Sequence, residues 1–352
     1  MKTLHAAHPV RIFWISSLIT LGLGVLVVNK LGLSGLWIYL ILVILEVTFS
    51  FDNAIINSKV LAKLSPLWQR LFLTLGIFIA VFVVRFLLPI VIVMIASSQG
   101  FMAVVNMALH DAKAYGETLH TAAPMIDAFG GTFLIMIGIS YFMDRKKDIH
   151  WLGRIEQKLA SAGRFENLKV LVMLSVAMVM YATVDEAYRT TVLGASILGV
   201  MLHMGLELLG HAFVSTQTTR ATQQVGMAAF ASFLYLEVLD ASFSFDGVIG
   251  AFAITNDVLL IIAGLGAGAI WVRSLTVYLL RTGTLTKYRY LEHGAHWAIL
   301  ALGVVMFAKL YHIEPPEWMT GALGLIFIAT AVISSVIERR RVQHTDEYKG
   351  WS

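Results

Sequence analysis

The sequence predicts an all-α, polytopic bundle of about ten membrane-spanning helices with an inverted internal repeat. Three observations carry this. Hydrophobic residues make up 58% of the 352-residue chain and charged residues only 14%, against about 25% charged in soluble domains. The apolar residues form long runs rather than an alternating pattern, which favours helices over a closed barrel, and only these two satisfy their backbone groups in lipid. Finally, one polar word occurs twice, as EVTFSFDNAI at 46–55 and as DASFSFDGVI at 240–249.

Taken in order, helices are expected near 12–29, 33–58, 68–96, 129–143, 168–184, 190–214, 225–252, 258–280, 291–310 and 318–338. The N-terminus, with Lys2 and Arg11 ahead of an apolar run, has the look of a signal peptide. No small-residue cleavage site precedes Asn29-Lys30, so a retained first helix is expected. Lys30, Lys113, Arg189 and Lys309 fall on one side of this layout. Arg85 and Arg273 lie within helices, and every other Lys and Arg falls on the opposite side, which the positive-inside bias makes cytoplasmic. Both termini are then cytoplasmic, in the plasma (inner) membrane of the cell. The net charge of +4 follows from this topology and gives no reason to expect nucleic-acid binding. The chain has no cysteine, which excludes disulfides, thiolate metal ligands and thiol catalysis.

The expected organisation is a first helix (1–32), a first repeat half (33–143), a basic cytoplasmic loop with two inserted helices (144–224), a second repeat half (225–310) and a last helix with a basic tail (311–352). The loop DRKKDIHWLGRIEQKLASAGRFEN reads as partly an interfacial amphipathic helix and as a docking surface for membrane or secretion partners. Segment 97–128 carries His110, Asp111, Glu117 and His120, with Asp127 at its end; this reads as an ordinary solvated loop.

The repeated words align without a gap. Glu46 matches Asp240, Thr48 matches Ser242, Ser50 matches Ser244 and Asp52 matches Asp246, while Asn53 is replaced by Gly247. Each word is followed by a helix with a single deep arginine, Arg85 or Arg273, and then by a glycine-bearing helix in which Gly138 matches Gly303. The topology makes the two words run antiparallel, as in inverted-repeat transporters whose sites lie at the midplane between repeats.

Intramembrane carboxylates cost a few kcal/mol or more each unless paired, hydrated or ion-bound. On a regular helix Glu46, Ser50 and Asn53 share one face, and Thr48 and Asp52 a nearly opposite one. If the backbone unwinds near Phe49–Phe51, all the polar residues point one way. A candidate metal site then comprises Glu46, Ser50, Asp52, Asn53, Glu237, Asp240, Ser244 and Asp246, with Arg85 and Arg273 balancing charge. These are hard oxygen donors, suited to Mn²⁺, Ca²⁺ or Mg²⁺. Four carboxylates close together need a cation or protons, a route to metal/proton exchange. The competing reading is a pair of buried structural salt bridges to Arg85 and Arg273. A secondary polar site, His203, Glu207 and His211, lies along one stripe at i, i+4, i+8. Met173, Met178 and Met180 read as packing, and Asp185 and Glu186 as local partners of Arg189.

These residues resemble the TerC family of integral membrane proteins, within the LysE-type transporter superfamily. The resemblance rests on Glu46 with SFDN, on Asp240 with SFDG leading into VIGAFAITND, on WVRSLTVYLL and on YRYLEHG. It covers about residues 36–96, 127–143 and 232–310. Gly247 and the large 144–224 insert mark a diverged branch. The resemblance implies a secondary transporter exporting divalent manganese, with the cation as substrate, the lipid bilayer as its medium and no tightly bound cofactor. It implies no enzyme. An intramembrane aspartyl protease using Asp52 and Asp246 would need GxGD and Pro-Ala-Leu elements, which are missing. An assembly or metal-loading scaffold, and an exporter of a small non-metal solute such as an amino acid, are the alternatives.

Overall fold

A computed structural model describes residues 9–165, 167–214 and 223–349. The chain is an all-α, multi-pass helix bundle. Among the described residues, eight helices are long and apolar enough to cross a membrane. Each of the ten expected segments falls on a helix. The excess of two has a physical source. Helix α1 (Pro9–Phe49) is 41 residues long, far beyond one bilayer, and breaks at Gly32 (φ 69°, ψ −164°). This left-handed backbone is open to glycine. The two arms fold back, with Tyr39 donating its hydroxyl to the Thr20 carbonyl at 3.0 Å, so α1 is a helical hairpin. Helix α9 (Leu168–Thr183) is apolar but only 16 residues long.

After α1 come α2 (Phe51–Lys63) and α3 (Pro66–Phe78). The latter continues through π-helical turns (Ile79–Leu87) into α4 (Leu88–Ser97). The widened turns have a sequence cause. Pro89 has no N–H to return to the Arg85 carbonyl, and its ring crowds that turn; the ladder shifts register, with the Leu88 amide reaching the Val83 carbonyl. Segment 97–128, expected as a loop, contains two short helices, α5 (Phe101–His110) and α6 (Ala112–Thr121). The Asp111 side chain caps α6 by accepting from the Ala114 amide.

Helix α7 (Ala123–Phe142) leads to the short α8 (Arg154–Ala162), then α9 and α10 (Arg189–Val214). The second half holds α11 (Gly226–Ile254), α12 (Val258–Thr282), the single turn α13 (Thr284–Lys287) and α14 (Leu291–Lys309). Helix α15 (Glu317–Lys349) completes the bundle.

The repeat is visible in the packing. The end of α2 and the start of α11 meet: Ser65 donates its amide to the Gln224 carbonyl (3.0 Å), and Gln224 donates to the Lys63 carbonyl (2.7 Å). The two motif helices therefore run antiparallel. Helix α1 packs on α12, α11 packs on the α3–α4 span, and α7 packs on α14. Glycines permit the closest approaches, as is common between membrane helices. A Cβ on Gly264 would lie 2.6 Å from that of Leu42, and one on Gly268 2.5 Å from that of Glu46. The matched Gly138 and Gly303 both lie on the α7–α14 seam, beneath Leu300 and Ile135 respectively.

One expectation is corrected. Only the first motif helix is interrupted, and only at Ser50 (φ −99°, ψ 15°). Even there the helical bonds continue, from the Ser50 amide to the Glu46 carbonyl (3.0 Å) and from the Ala54 amide to the Ser50 carbonyl (3.1 Å). The second motif lies inside the unbroken α11. Glu46, Glu237 and Asp240 reach Arg85 and Arg273 without any unwinding of the motif helices.

Candidate functional site

Among the described residues, the motif acids fall into two ion-pair clusters, one per repeat, and one carboxylate outside both. In the first cluster Arg85 pairs with Glu46, and both side chains are 2% exposed. Ser50 donates its hydroxyl to the same Glu46 Oε1 at 2.9 Å. Arg85 also donates to the Ala80 carbonyl at 2.7 Å, within its own π-helical turns. The widened backbone thus supplies an acceptor that holds the guanidinium.

In the second cluster Arg273 presents its fork to Glu237, with Nη1–Oε1 and Nη2–Oε2 both at 3.1 Å. Its Nη2 also reaches Asp240 Oδ2 at 3.2 Å. The guanidinium carbon lies 3.9 Å from the Phe72 ring centre, and Nη1 donates to the Phe72 carbonyl at 3.3 Å. Gly76 makes room for this pair: a Cβ there would lie 2.6 Å from Glu237 Oε1 and 2.7 Å from Arg273 Nη1. The correspondence of Glu46 with Asp240 and of Arg85 with Arg273, read from sequence, is therefore repeated as contact. Beside the bond from Arg273 to the Phe72 carbonyl, a hydrogen bond between two motif residues joins the halves. Asn53 Nδ2 donates to Asp240 Oδ1 at 2.7 Å, with Asn53 fully buried.

Asp52 differs from the other acids. It is buried, accepts from the Asn53 amide at 2.9 Å, and has no Lys or Arg partner among the described residues. It faces away from the arginines, as the regular-helix geometry predicts for Thr48 and Asp52. Both line a narrow cleft of about 20 Å³ with Phe243, Leu302 and Thr320. The side chain of Asp246 lies outside the described residues. Ser242 donates to the Val238 carbonyl, while Ser244 Oγ, Asn53 Oδ1 and Arg85 Nε are buried without a hydrogen-bond partner. Polar atoms left bare in an interior call for water or an ion. No group of three or more His, Asp or Glu converges as a metal cage among the described residues. The arginines occupy that role for Glu46, Glu237 and Asp240.

Of the secondary constellation, His203 and Glu207 each bond to a neighbouring helix. His203 Nε2 meets Ser140 Oγ at 3.1 Å, whereas Glu207 pairs with Lys169 at 2.6 Å. The side chain of His211 lies outside the described residues. His203 and Glu207 also line a cavity of about 320 Å³ with Lys63, Ser140, Tyr141 and Tyr235, at the end of the bundle where the basic loops lie. A second cavity, of about 530 Å³, opens at the opposite end and is lined by His120, Asp127, Tyr188, Lys309 and His312. Glu186 pairs with Arg189 at 3.3 Å as expected, and Asp185 with His312 at 2.8 Å. Met173 and Met180 are buried in packing, while Met178 is exposed.

Sequence reasoning passed over two residues. Asn57 is buried one turn beyond Asn53; its i+4 spacing was the available signal. Glu156, in the basic loop, is fully buried and accepts from the Trp151 amide (2.9 Å) and from Trp297 Nε1 (3.1 Å). That loop reads as a basic, partly interfacial segment, and nothing local distinguishes Glu156 from its neighbours.

No solved structure matches this chain. The uncharacterized membrane protein RP786 of Rickettsia prowazekii (strain Madrid E) is 26% identical over 110 residues, which is 31% of this chain and 36% of that protein. The chain therefore aligns with little more than a third of that relative's length. The model of the DUF475 family, described as proteins of unknown function, matches residues 51–342. That range takes in Asp52, Asn53, Arg85, Glu237, Asp240 and Arg273, and a match over most of its length means that the chain belongs to the DUF475 family.

Proposed function

We propose that this integral membrane protein is a secondary transporter that exports a divalent metal cation, manganese foremost, in exchange for protons. The observation that carries this reading is Asp52. A buried carboxyl with no Lys or Arg partner among the described residues, on an antiparallel repeat helix, takes up a proton or, when ionised, is balanced by a cation or water from outside the protein. The bare oxygens of Asn53 and Ser244 are hard neutral donors of the kind such a cation takes. Cavities at both ends of the bundle, with the motif residues between them, suit a site reached alternately from either side. The TerC resemblance supports the same substrate, and the basic-residue bias supports an inner membrane with both termini cytoplasmic.

The arginine pairings of Glu46, Glu237 and Asp240 favour a second reading, a structural ion-pair core in an assembly or metal-loading scaffold. Uptake of Mn²⁺, Ca²⁺, Mg²⁺ and Zn²⁺ by everted vesicles separates the two. Mn²⁺-selective flux, reduced at least tenfold by Asp52→Asn in protein of unchanged thermal midpoint, is the expected result. A folded wild type that moves none of these cations sinks the transporter reading and leaves the scaffold.

A further inference from the structure

The face of α2 beyond Asn53 leads from the motif toward the cavity at the Lys63 end. Asn57 lies on that face, 1% exposed, and neither its Oδ1 nor its Nδ2 has a hydrogen-bond partner. One turn further, Val60 lines the cavity of about 320 Å³ together with Ser140, Tyr141 and His203. Asn53, Asn57 and Val60, at i, i+4 and i+7, form one stripe on the helix. A side-chain amide buried with both ends bare is unfavourable, so its natural complement is water or an ion.

The repeat argues against a purely structural amide. At the spacing that aligns Asp52 with Asp246, Asn53 falls on Gly247 and Asn57 on Ala251, which is fully buried. The fold thus accepts a methyl group at the position equivalent to Asn57. Only the half facing the Lys63 end carries the two amides.

We propose that Asn57 and Asn53 form a neutral-oxygen relay, the wetted passage by which a small hydrated hard cation moves between this cavity and the motif acids. Amide oxygens replace part of such a cation's hydration shell, yet without a formal charge they hold it weakly enough to release it. The identity of the cargo rests on the reading given under Proposed function; the passage does not.

The absence of native cysteine makes single-cysteine labelling unambiguous. Asn57→Cys, Val60→Cys and Ala251→Cys variants in oriented vesicles are treated with a membrane-impermeant cationic thiosulfonate from the Lys63 side. Asn57→Cys and Val60→Cys should react, and Ala251→Cys should react at least tenfold more slowly. An Asn57→Cys variant as slow as Ala251→Cys, beside a reactive Val60→Cys, overturns the passage. In a second arm, Asn57→Leu should keep or raise the thermal midpoint and lower Mn²⁺ flux at least tenfold. A lowered midpoint with unchanged flux per folded molecule makes Asn57 structural and overturns the relay. If the wild type carries no Mn²⁺, the transporter reading fails by itself, and the labelling still decides the passage.

Discussion

Arg273 and Asp52 stand at opposite ends of the same problem, that of keeping charge inside a bilayer. Arg273 is held by two carboxylates, a carbonyl and an aromatic face. Removing one member of a buried ion pair leaves the others uncompensated, typically at about 3–5 kcal/mol. Arg273→Met is therefore expected to lower the thermal midpoint sharply in detergent, because Glu237 and Asp240 are stranded. Arg273→Lys should rescue little, since an ammonium cannot present a planar fork to both oxygens of Glu237. A lysine variant as stable as the wild type would show that the bidentate geometry contributes nothing. Asp52 has no such partner, so Asp52→Asn should spare stability and affect transport alone. The two substitutions thus separate charges that hold the bundle from a carboxylate with no Lys or Arg partner among the described residues.

Helices α1 and α12 meet at glycines because Glu46 must reach inward to Arg85. A Cβ on Gly268 would lie 2.5 Å from that of Glu46 and 3.1 Å from the Val43 carbonyl, whereas one on Gly22 meets nothing within 4 Å. Gly268→Ala forces the helices apart at the ion pair and is expected to cost about 1–3 kcal/mol. Gly22→Ala, in an unencumbered helix interior, should be neutral or stabilising by up to about 1 kcal/mol. Thermal midpoints of the two variants, measured side by side, check this; equal values would remove the close approach as a cause. Much of this element-level design was legible in advance. The repeated word, the lone arginine after each copy and the alternating basic loops put Glu46 and Arg85 in one half and Asp240 and Arg273 in the other, with their pairing as the competing reading beside a metal site. The π-helical turns were not legible, because Pro89 acts four residues away on the register of Arg85. Nor was the continuity of α11. Its polar residues pair with neighbouring helices, and that pairing removes the reason to unwind that the pattern alone suggested. Asn57 escaped because it stands beside Ser58 and Lys59 at the expected end of its helix, where a polar residue is ordinary until Asn53 fixes the face.

On the scale of the whole molecule, segment 144–165 straps together α7 and α14, the paired seam of the two repeats. Glu156 is the buckle. It reaches Trp297 on α14, the Trp151 amide and Lys147 (3.4 Å), and His293 Nε2 lies 3.4 Å away. Lys147 in turn lies over Tyr141 and Phe142 at the end of α7, at 4.0 and 4.5 Å from their ring centres. Tyr141 stacks on His296 at 3.6 Å and lines the cavity at the basic end, so the strap bears directly on that cavity's wall. Glu156→Ala leaves Lys147 without its carboxylate and is expected to release the segment. Tryptic cleavage at Arg145, Lys146 or Arg154 in the folded protein should then rise at least tenfold, with little change in the thermal midpoint of the bundle. Burial holds Lys147 below the ordinary lysine value of 10.5, which fixes the sign of a pH effect. Released Lys147 binds more protons than docked Lys147 in the window between its lowered value and 10.5. Docking through this residue therefore strengthens as pH rises through that window and is flat below it. Amide hydrogen exchange of 144–165, corrected for the intrinsic base-catalysed rate, reads this directly. Protection that grows toward alkaline pH in the wild type and not in Lys147→Met would establish the strap as a clamp whose strength is set at Lys147. Protection that falls over that window would place the titrating group elsewhere in the seam.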